Sequence, residues 1–362
     1  MTILAGTSRG LFRFEDGLAD GLADGPAAGP AEGLPHGPGD GLAAGPAPSL
    51  TPVLAERGVR ELVTIGTTRY AGTSGGLFAS ADDGRTWRNA GLHGCAVWQV
   101  RASRDGALIY AAAEPAALYR SSDAGAHWHT VDSFAAFPDA ARWCVPVQPP
   151  QPARARALVV DQNDPRRLHV GVEVGGILRS ADGGASWQLD LPGENPDIHM
   201  LCAHPADSAV LFASTGYGRL DGVAPMVEGN AGVFRSDDGG AHWQYVWHSV
   251  TPRYSRPMCI DPRPPYALTV ASAPNAFSNS KEAGGAGAML FRSDDRGTTW
   301  RSLGDAAHAP SPANFHGLAP HPAAPGAVVV GTDTGEVWLV TGAGEWRRLA
   351  TQLPTVLALL AN

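Results

Sequence analysis

The sequence predicts an all-β fold of radial four-stranded blades, and three observations carry that prediction. One pattern, Ser-x-Asp-x-Gly-x-x-Trp, recurs five times: Ser80-Asp82-Gly84-Trp87, Ser121-Asp123-Gly125-Trp128, Ser180-Asp182-Gly184-Trp187, Ser236-Asp238-Gly240-Trp243 and Ser293-Asp295-Gly297-Trp300. Each copy follows a short apolar run, Leu77-Phe78, Leu118-Tyr119, Ile177-Leu178, Val233-Phe234 or Leu290-Phe291, so it reads as a hairpin between two strands. The chain also begins in mid-repeat: Leu4-Ala5-Gly6-Thr7-Ser8-Arg9-Gly10-Leu11-Phe12 parallels Tyr70-Ala71-Gly72-Thr73-Ser74-Gly75-Gly76-Leu77-Phe78. The tail, Thr355-Val356-Leu357-Ala358-Leu359-Leu360, reads as the first strand that this head lacks. Joining tail to head gives seven repeats and removes the open edges of a linear array. The expectation is a seven-bladed β-propeller with four-stranded antiparallel blades, closed by pairing the C-terminal strand with the N-terminal half-blade.

Each element has a local reason. In the hairpin, Ser and Asp oxygens accept turn amides and Gly takes a positive φ. The Trp opens the return strand and buries a large ring between neighbouring repeats. Residues 16–50 consist almost wholly of Gly, Ala, Pro, Asp and Leu with no aromatic residue. That composition does not order itself, and the segment is expected to be a flexible loop in place of the first repeat's hairpin turn. Repeats two to seven then occupy about 59–92, 97–133, 155–192, 198–249, 255–304 and 315–349. The seventh has lost the hairpin pattern but keeps Gly331-Thr332-Asp333-Thr334-Gly335 and Trp346. The whole chain reads as a single propeller domain carrying one low-complexity insertion.

Composition narrows the partners. Of 362 residues, 44% are hydrophobic and 17% charged, and the net charge is −8. That balance argues against a nucleic-acid partner held by bulk electrostatics. The start, Met1-Thr2-Ile3-Leu4-Ala5-Gly6, lacks the basic and apolar regions of a secretory signal. No stretch approaches the ~18 apolar residues of a membrane span. Cys95, Cys144, Cys202 and Cys259 are scattered and read as buried thiols in a reducing, cytoplasmic setting.

The five motifs resemble the Asp-box, or bacterial neuraminidase repeat, over nearly the whole chain outside 16–50. Proteins with such repeats include sialidases, xyloglucan-active glycoside hydrolases, sortilin-like receptors and photosystem II assembly factors. The resemblance implies the propeller, and it does not choose among these functions. A sialidase would need an Arg-Ile-Pro element, which is absent; Arg256-Pro257-Met258 is a faint echo.

The hairpins all lie on one face of the disc, so a ligand would meet the opposite face, where first strands start and second strands end. Aligning the repeats there gives Arg60, Trp98, Arg156, His199, Arg256 and His316 at equivalent places. By strand alternation these share a face with Leu62, Val100, Leu158, Leu201, Met258 and Leu318. Such a cationic, aromatic ring suits an anionic or polyhydroxylated ligand, because Arg offers a planar fork and Trp a stacking face. Second-strand ends bring Glu114, Glu173 and Asp333 to the same mouth. These are candidate acid and base residues, or salt-bridge partners of the arginines. Long insertions at 216–231, with Tyr217 and Arg219, and at 274–287, with Phe277, wall one side. The segment 134–152 is a third wall.

His199 and His316 with a carboxylate are the residues a metal would use, but no motif spacing supports one, and no cofactor is implied. Neither a Gly-x-Ser-x-Gly nucleophile motif nor a phosphate loop occurs. Two functional classes fit: a non-catalytic propeller binding a carbohydrate, anionic ligand or protein at the mouth, and a glycoside-hydrolase-like enzyme using Glu114 and Glu173. The first predicts carboxylates tied to arginines. The second predicts paired carboxylates of raised pKa.

Overall fold

The computed structural model describes residues 1–15, 49–223 and 226–362. Seven four-stranded antiparallel sheets are arranged radially as a β-propeller. Their innermost strands are Val356–Ala361, Val59–Ile65, Ala96–Ala102, Ala155–Val160, Ile198–His204, Tyr254–Ile260 and Phe315–Pro320, for blades one to seven. Blade one is assembled from both chain ends. Val356–Ala361 pairs with Thr2–Thr7 in the register Leu4 to Leu360 and Ala5 to Leu359, and Gly10–Glu15 and Thr51–Ala55 complete the sheet. The expected loop at 16–50 falls, as far as residue 48, outside the described residues.

The hairpins repeat one hydrogen-bond pattern. The Ser80 hydroxyl donates to Asp82 Oδ1 at 2.8 Å and accepts the Gly84 N–H at 2.9 Å. Asp82 in turn accepts the Thr86 N–H at 2.9 Å and its hydroxyl at 2.6 Å. Ser121, Ser180, Ser236 and Ser293 bond their own Asp and Gly in the same way. Each turn holds two successive left-handed residues where the sequence reading placed one. The motif glycine is preceded by Asp83, Ala124, Gly183, Gly239 or Arg296, with φ between 57° and 76°. A non-glycine residue costs ~1–2 kcal/mol there, and the hydrogen bonds centred on the motif Asp oppose that cost. The fourth strand begins one residue after the Trp and is short, as in Arg88–Asn89 and Arg301–Ser302. In blade seven, Thr341 and Glu345 replace the motif, with the Glu345 N–H on Thr341 Oγ1 at 3.1 Å.

Several of the tryptophans tie their blade to the one before, whereas the Trp87 indole bonds Gly84 O within its own hairpin. Trp128 Nε1 donates to Ala90 O at 2.9 Å, Trp300 to Val246 O at 2.6 Å, and Trp346 to Leu303 O at 2.7 Å. Seven hydrophobic clusters follow, one in each gap between consecutive blades, including the gap between blades seven and one. The glycine of the second strand permits the close approach. A Cβ on Gly72 would lie 2.7 Å from Val97 O, and one on Gly171 would lie 2.6 Å from Ile198 Cγ2. In each case the obstacle is the inner strand of the next blade. The inner strands enclose a central channel of about 430 Å³, with Arg60 and His316 near one end and Leu62, Leu158, Leu201 and Met258 along its wall.

Two outcomes follow from this packing. Gly72→Ala is expected to destabilise by about 1–3 kcal/mol through overpacking, read as a lower denaturant midpoint at unchanged m. A gain of about 0.4–1 kcal/mol, as backbone entropy alone would give, contradicts the close approach. Second, His169 is buried and bonds Gly239 O of the next blade at 2.9 Å. Burial pulls its pKa down to about 4. A pKa depressed on folding gives stability that is full above the unfolded value near 6.5 and is lost as pH falls towards 4. Up to about 3 kcal/mol is involved, and His169→Gln is expected to flatten the thermal midpoint over that window.

Candidate functional site

The ring residues share a backbone feature that alternation does not reveal. In blade two, Val59 pairs with Thr73 and Glu61 with Gly72, leaving Arg60 as an extra residue. Trp98, Arg156, His199 and His316 are extra in the same way. In blade six Arg256 and Pro257 stand opposite Ala271, and in blade one Leu357 is the extra residue. Every blade therefore carries a β-bulge at the same point of its inner strand. A bulge bends the strand and re-aims its side chain, so the expected simple sharing of a face with Leu62 and its equivalents gives way to a bulge-directed ring.

The cations and carboxylates of blades two, three and four form one network. Arg154 Nε lies 3.3 Å from Glu114 Oε2, and Arg154 Nη1 lies 3.2 Å from Glu173 Oε2. Arg156 Nη1 reaches the same Glu173 oxygen at 3.2 Å. Glu114 also accepts the Trp98 indole N–H at 3.0 Å. Burial pushes the Glu173 carboxyl upward, but Arg156, His199 and Arg154 together hold it below the usual range. Arg60 differs. Its guanidinium stacks 4.3 Å from the Trp98 ring centroid, its Nε is buried without an acceptor, and among the described residues it makes no ion pair within 4.0 Å. Burial lowers its pKa; the pull of Glu114 opposes this, and repulsion from Arg154 and Arg156 adds to it.

Blades five and six supply the adjoining wall. Asp197 Oδ2 accepts the N–H groups of Tyr217 and Gly218 at 2.9 and 2.8 Å, fixing the base of the 216–231 insertion. Its Oδ1 lies 3.2 Å from His199 Nε2, and His199 Nδ1 is 2.7 Å from Ser255 O. Tyr254 packs edge-on against both His199 and Tyr217. Arg256 donates to the Tyr254 hydroxyl at 3.0 Å and to Ala276 O at 2.9 Å, which ties down the 274–287 insertion. Glu173, Asp197 and His199 place one donor atom each within 4.8 Å of one another.

Other expected residues lie apart from this network or at its edge. His316 lines the channel. Burial, with Arg256, Arg156 and Arg60 nearby, takes its pKa down to about 4, so it is neutral at pH 7. Asp333 accepts the Asn314 N–H at 2.9 Å and the Ser280 N–H at 2.7 Å, stapling the insertion of blade six to blade seven. Arg219 is exposed and pairs with Asp221 at 3.4 Å. Three residues of the site escaped the sequence reading: Arg154, Asp197 and Tyr254. Arg154 and Asp197 stand immediately before the apolar residue that opens the inner strand, and Tyr254 is that position in blade six. Extending the repeat alignment by one residue finds all three.

No family model matches the chain, and a comparison with curated proteins finds no match. Solved structures do match. A GH74 xyloglucanase from Xanthomonas campestris superposes with a TM-score of 0.54 at 18% identity, over 78% of this chain and 43% of that one. An ancestral GH74 enzyme gives 0.52 at 12%, over 78% and 36%. YCF48 bound to D1 peptide gives 0.52 at 18%, over 80% of each chain, and YCF48 from Cyanidioschyzon merolae gives 0.52 at 14%, over 82% and 87%. The chain thus spans less than half the length of the GH74 structures it matches. At these identities the likeness is one of fold, and it agrees with the seven blades described above.

Proposed function

We propose that the channel mouth binds a carboxylate-bearing, partly apolar segment of a protein partner, and that it is a recognition site rather than a catalytic one. The observation that carries this reading is the state of the charges. Glu114 and Glu173 are held by Arg154 and Arg156 at 3.2–3.3 Å, and the Glu173 carboxyl is held below the usual range. A glycosidase acid needs the reverse, a carboxyl raised so that it carries a proton at working pH. Arg60, by contrast, keeps an unpaired guanidinium braced on Trp98, a fork suited to an incoming carboxylate.

The walls support a protein rather than a small ligand. Among the described residues the exposed large hydrophobic side chains are Leu191, Leu220, Val227 and Phe277, the last 71% exposed. Leu220 and Val227 lie on the insertion anchored by Asp197, Phe277 follows the carbonyl held by Arg256, and Leu191 leads into the segment before Asp197. All four lie on insertions or connections of the face that carries the mouth, and apolar side chains on a face with a cationic centre suit an acidic, amphipathic partner. YCF48, a structural neighbour, was solved with a bound peptide. We further infer that the five hairpins belong to the Asp-box class and that the protein works in a reducing compartment, since all four cysteines are free thiols.

Selection of a random peptide library on the full-length protein tests the reading. Enriched peptides are expected to combine acidic residues or a terminal carboxylate with large apolar side chains. Arg60→Ala is expected to weaken them at least about tenfold, and raising salt from 50 to 200 mM to weaken them further. Enrichment of basic peptides, or affinity unchanged by Arg60→Ala, contradicts the proposal. Release of reducing sugar from xyloglucan that is lost in Glu173→Gln would establish the hydrolase instead.

A further inference from the structure

We propose that Glu173, Asp197 and His199 form a binding site for a divalent transition-metal cation of the zinc type, beside the recognition surface and distinct from it in chemistry. Two buried atoms face each other at ion-pair distance but are not aligned for a hydrogen bond. His199 Nε2 and Asp197 Oδ1 are 3.2 Å apart, and each is buried with no hydrogen-bond partner. His199 is 2% exposed, Asp197 4% and Glu173 7%. Two acceptors facing each other in a dry site repel, and a cation between them would satisfy both.

The surroundings prepare the lone pairs for a metal. His199 Nδ1 lies 2.7 Å from Ser255 O. An N–H on Nδ1 donating to that carbonyl leaves Nε2 as the bare nitrogen. This is how a metal-binding imidazole is oriented in general, with its second nitrogen tied to a carbonyl or carboxylate. Asp197 is fixed equally well, because Oδ2 takes the two backbone N–H groups of residues 217 and 218 and only Oδ1 is left to coordinate. Distance agrees too. Ligands about 2.0–2.2 Å from one zinc, seen from it at 90–110°, are about 3.0–3.5 Å apart, and the observed separation falls inside that range. Glu173 brings one oxygen within 4.8 Å of the other two ligand atoms, and a cation would have to draw it slightly closer. One imidazole nitrogen and two carboxylate oxygens suit zinc or manganese better than magnesium, which keeps its waters and prefers oxygen alone.

Charge sets the strength. Arg154 and Arg156 already hold Glu173 Oε2, so a cation competes with two guanidinium groups, and affinity is expected to be well below that of a structural zinc site. The same competition supplies a signature: Arg156→Ala removes a repelling charge and is expected to tighten zinc several-fold, whereas it weakens any anionic partner of the mouth. The pairing also differs from the one the sequence suggested. His199 joins two carboxylates, and His316 is not part of the group.

The test is titration of Zn²⁺ into the full-length protein at pH 7.5, by calorimetry, with Co²⁺ absorption as an independent probe of coordination. One site per chain is expected above the background from exposed pairs such as His127 with Asp123 and His242 with Asp238. His199→Gln, which removes the ring nitrogen and keeps a polar side chain, is expected to weaken that site at least about tenfold and to abolish the Co²⁺ bands. Glu173→Gln is expected to weaken it as well, with folding of both variants checked by circular dichroism. No zinc uptake by the parent, uptake equal in a folded His199→Gln, or zinc weakened by Arg156→Ala overturns the proposal.

Discussion

Everything at the mouth depends on one pairing of strands. Val356–Ala361 supplies the inner strand of a blade whose other strands come from the N-terminal side of the chain. Without it, the clusters of blades seven and one would lose Val356, Leu359 and Ala358. Closure matters for function because it fixes the radius. Seven inner strands held in a ring bring seven equivalent bulges to one face, and the chemistry of the mouth is that of the bulge residues and of the first- and second-strand residues beside them.

Within the ring the charges are unevenly distributed. Blades two to four hold Arg60, Trp98, Arg154, Arg156, Glu114 and Glu173 in a network whose carboxylates are already engaged. Blades five and six hold a buried Asp197, His199 and Tyr254, from which the two insertions are anchored. The first half offers an open cationic fork, and the second offers lone pairs. A disc built from similar repeats thereby presents two chemistries side by side, because the seven bulges carry four kinds of side chain (Arg, His, Trp and Leu) while five hairpins on the other face share one pattern.

The fold was legible in the sequence because its signals are local. Ser, Asp, Gly and Trp at fixed spacing each satisfy a need within one hairpin, and residues 4–12 could be matched to residues 70–78 directly. The ring was legible for a related reason, since aligning repeats compares equivalent places without knowing their coordinates. The bulge was not, because an inserted residue leaves no mark on an apolar alternation only three or four residues long. Partnerships were illegible too. Arg154 bonds carboxylates of two blades, His199 bonds a carbonyl 56 residues away, and Asp333 serves the backbone at Ser280. Such contacts are made by closure of the ring, and no single repeat encodes them.

Ring closure is open to direct measurement by amide hydrogen exchange, which reports the opening free energy of each backbone hydrogen bond. The account predicts that amides of Thr2–Thr7 and Val356–Ala361 are protected to the same degree as those of the inner strands of blades three to six. Rapid exchange in both terminal strands while the interior blades stay protected would show an open ring, and the convergence at the mouth would fall with it.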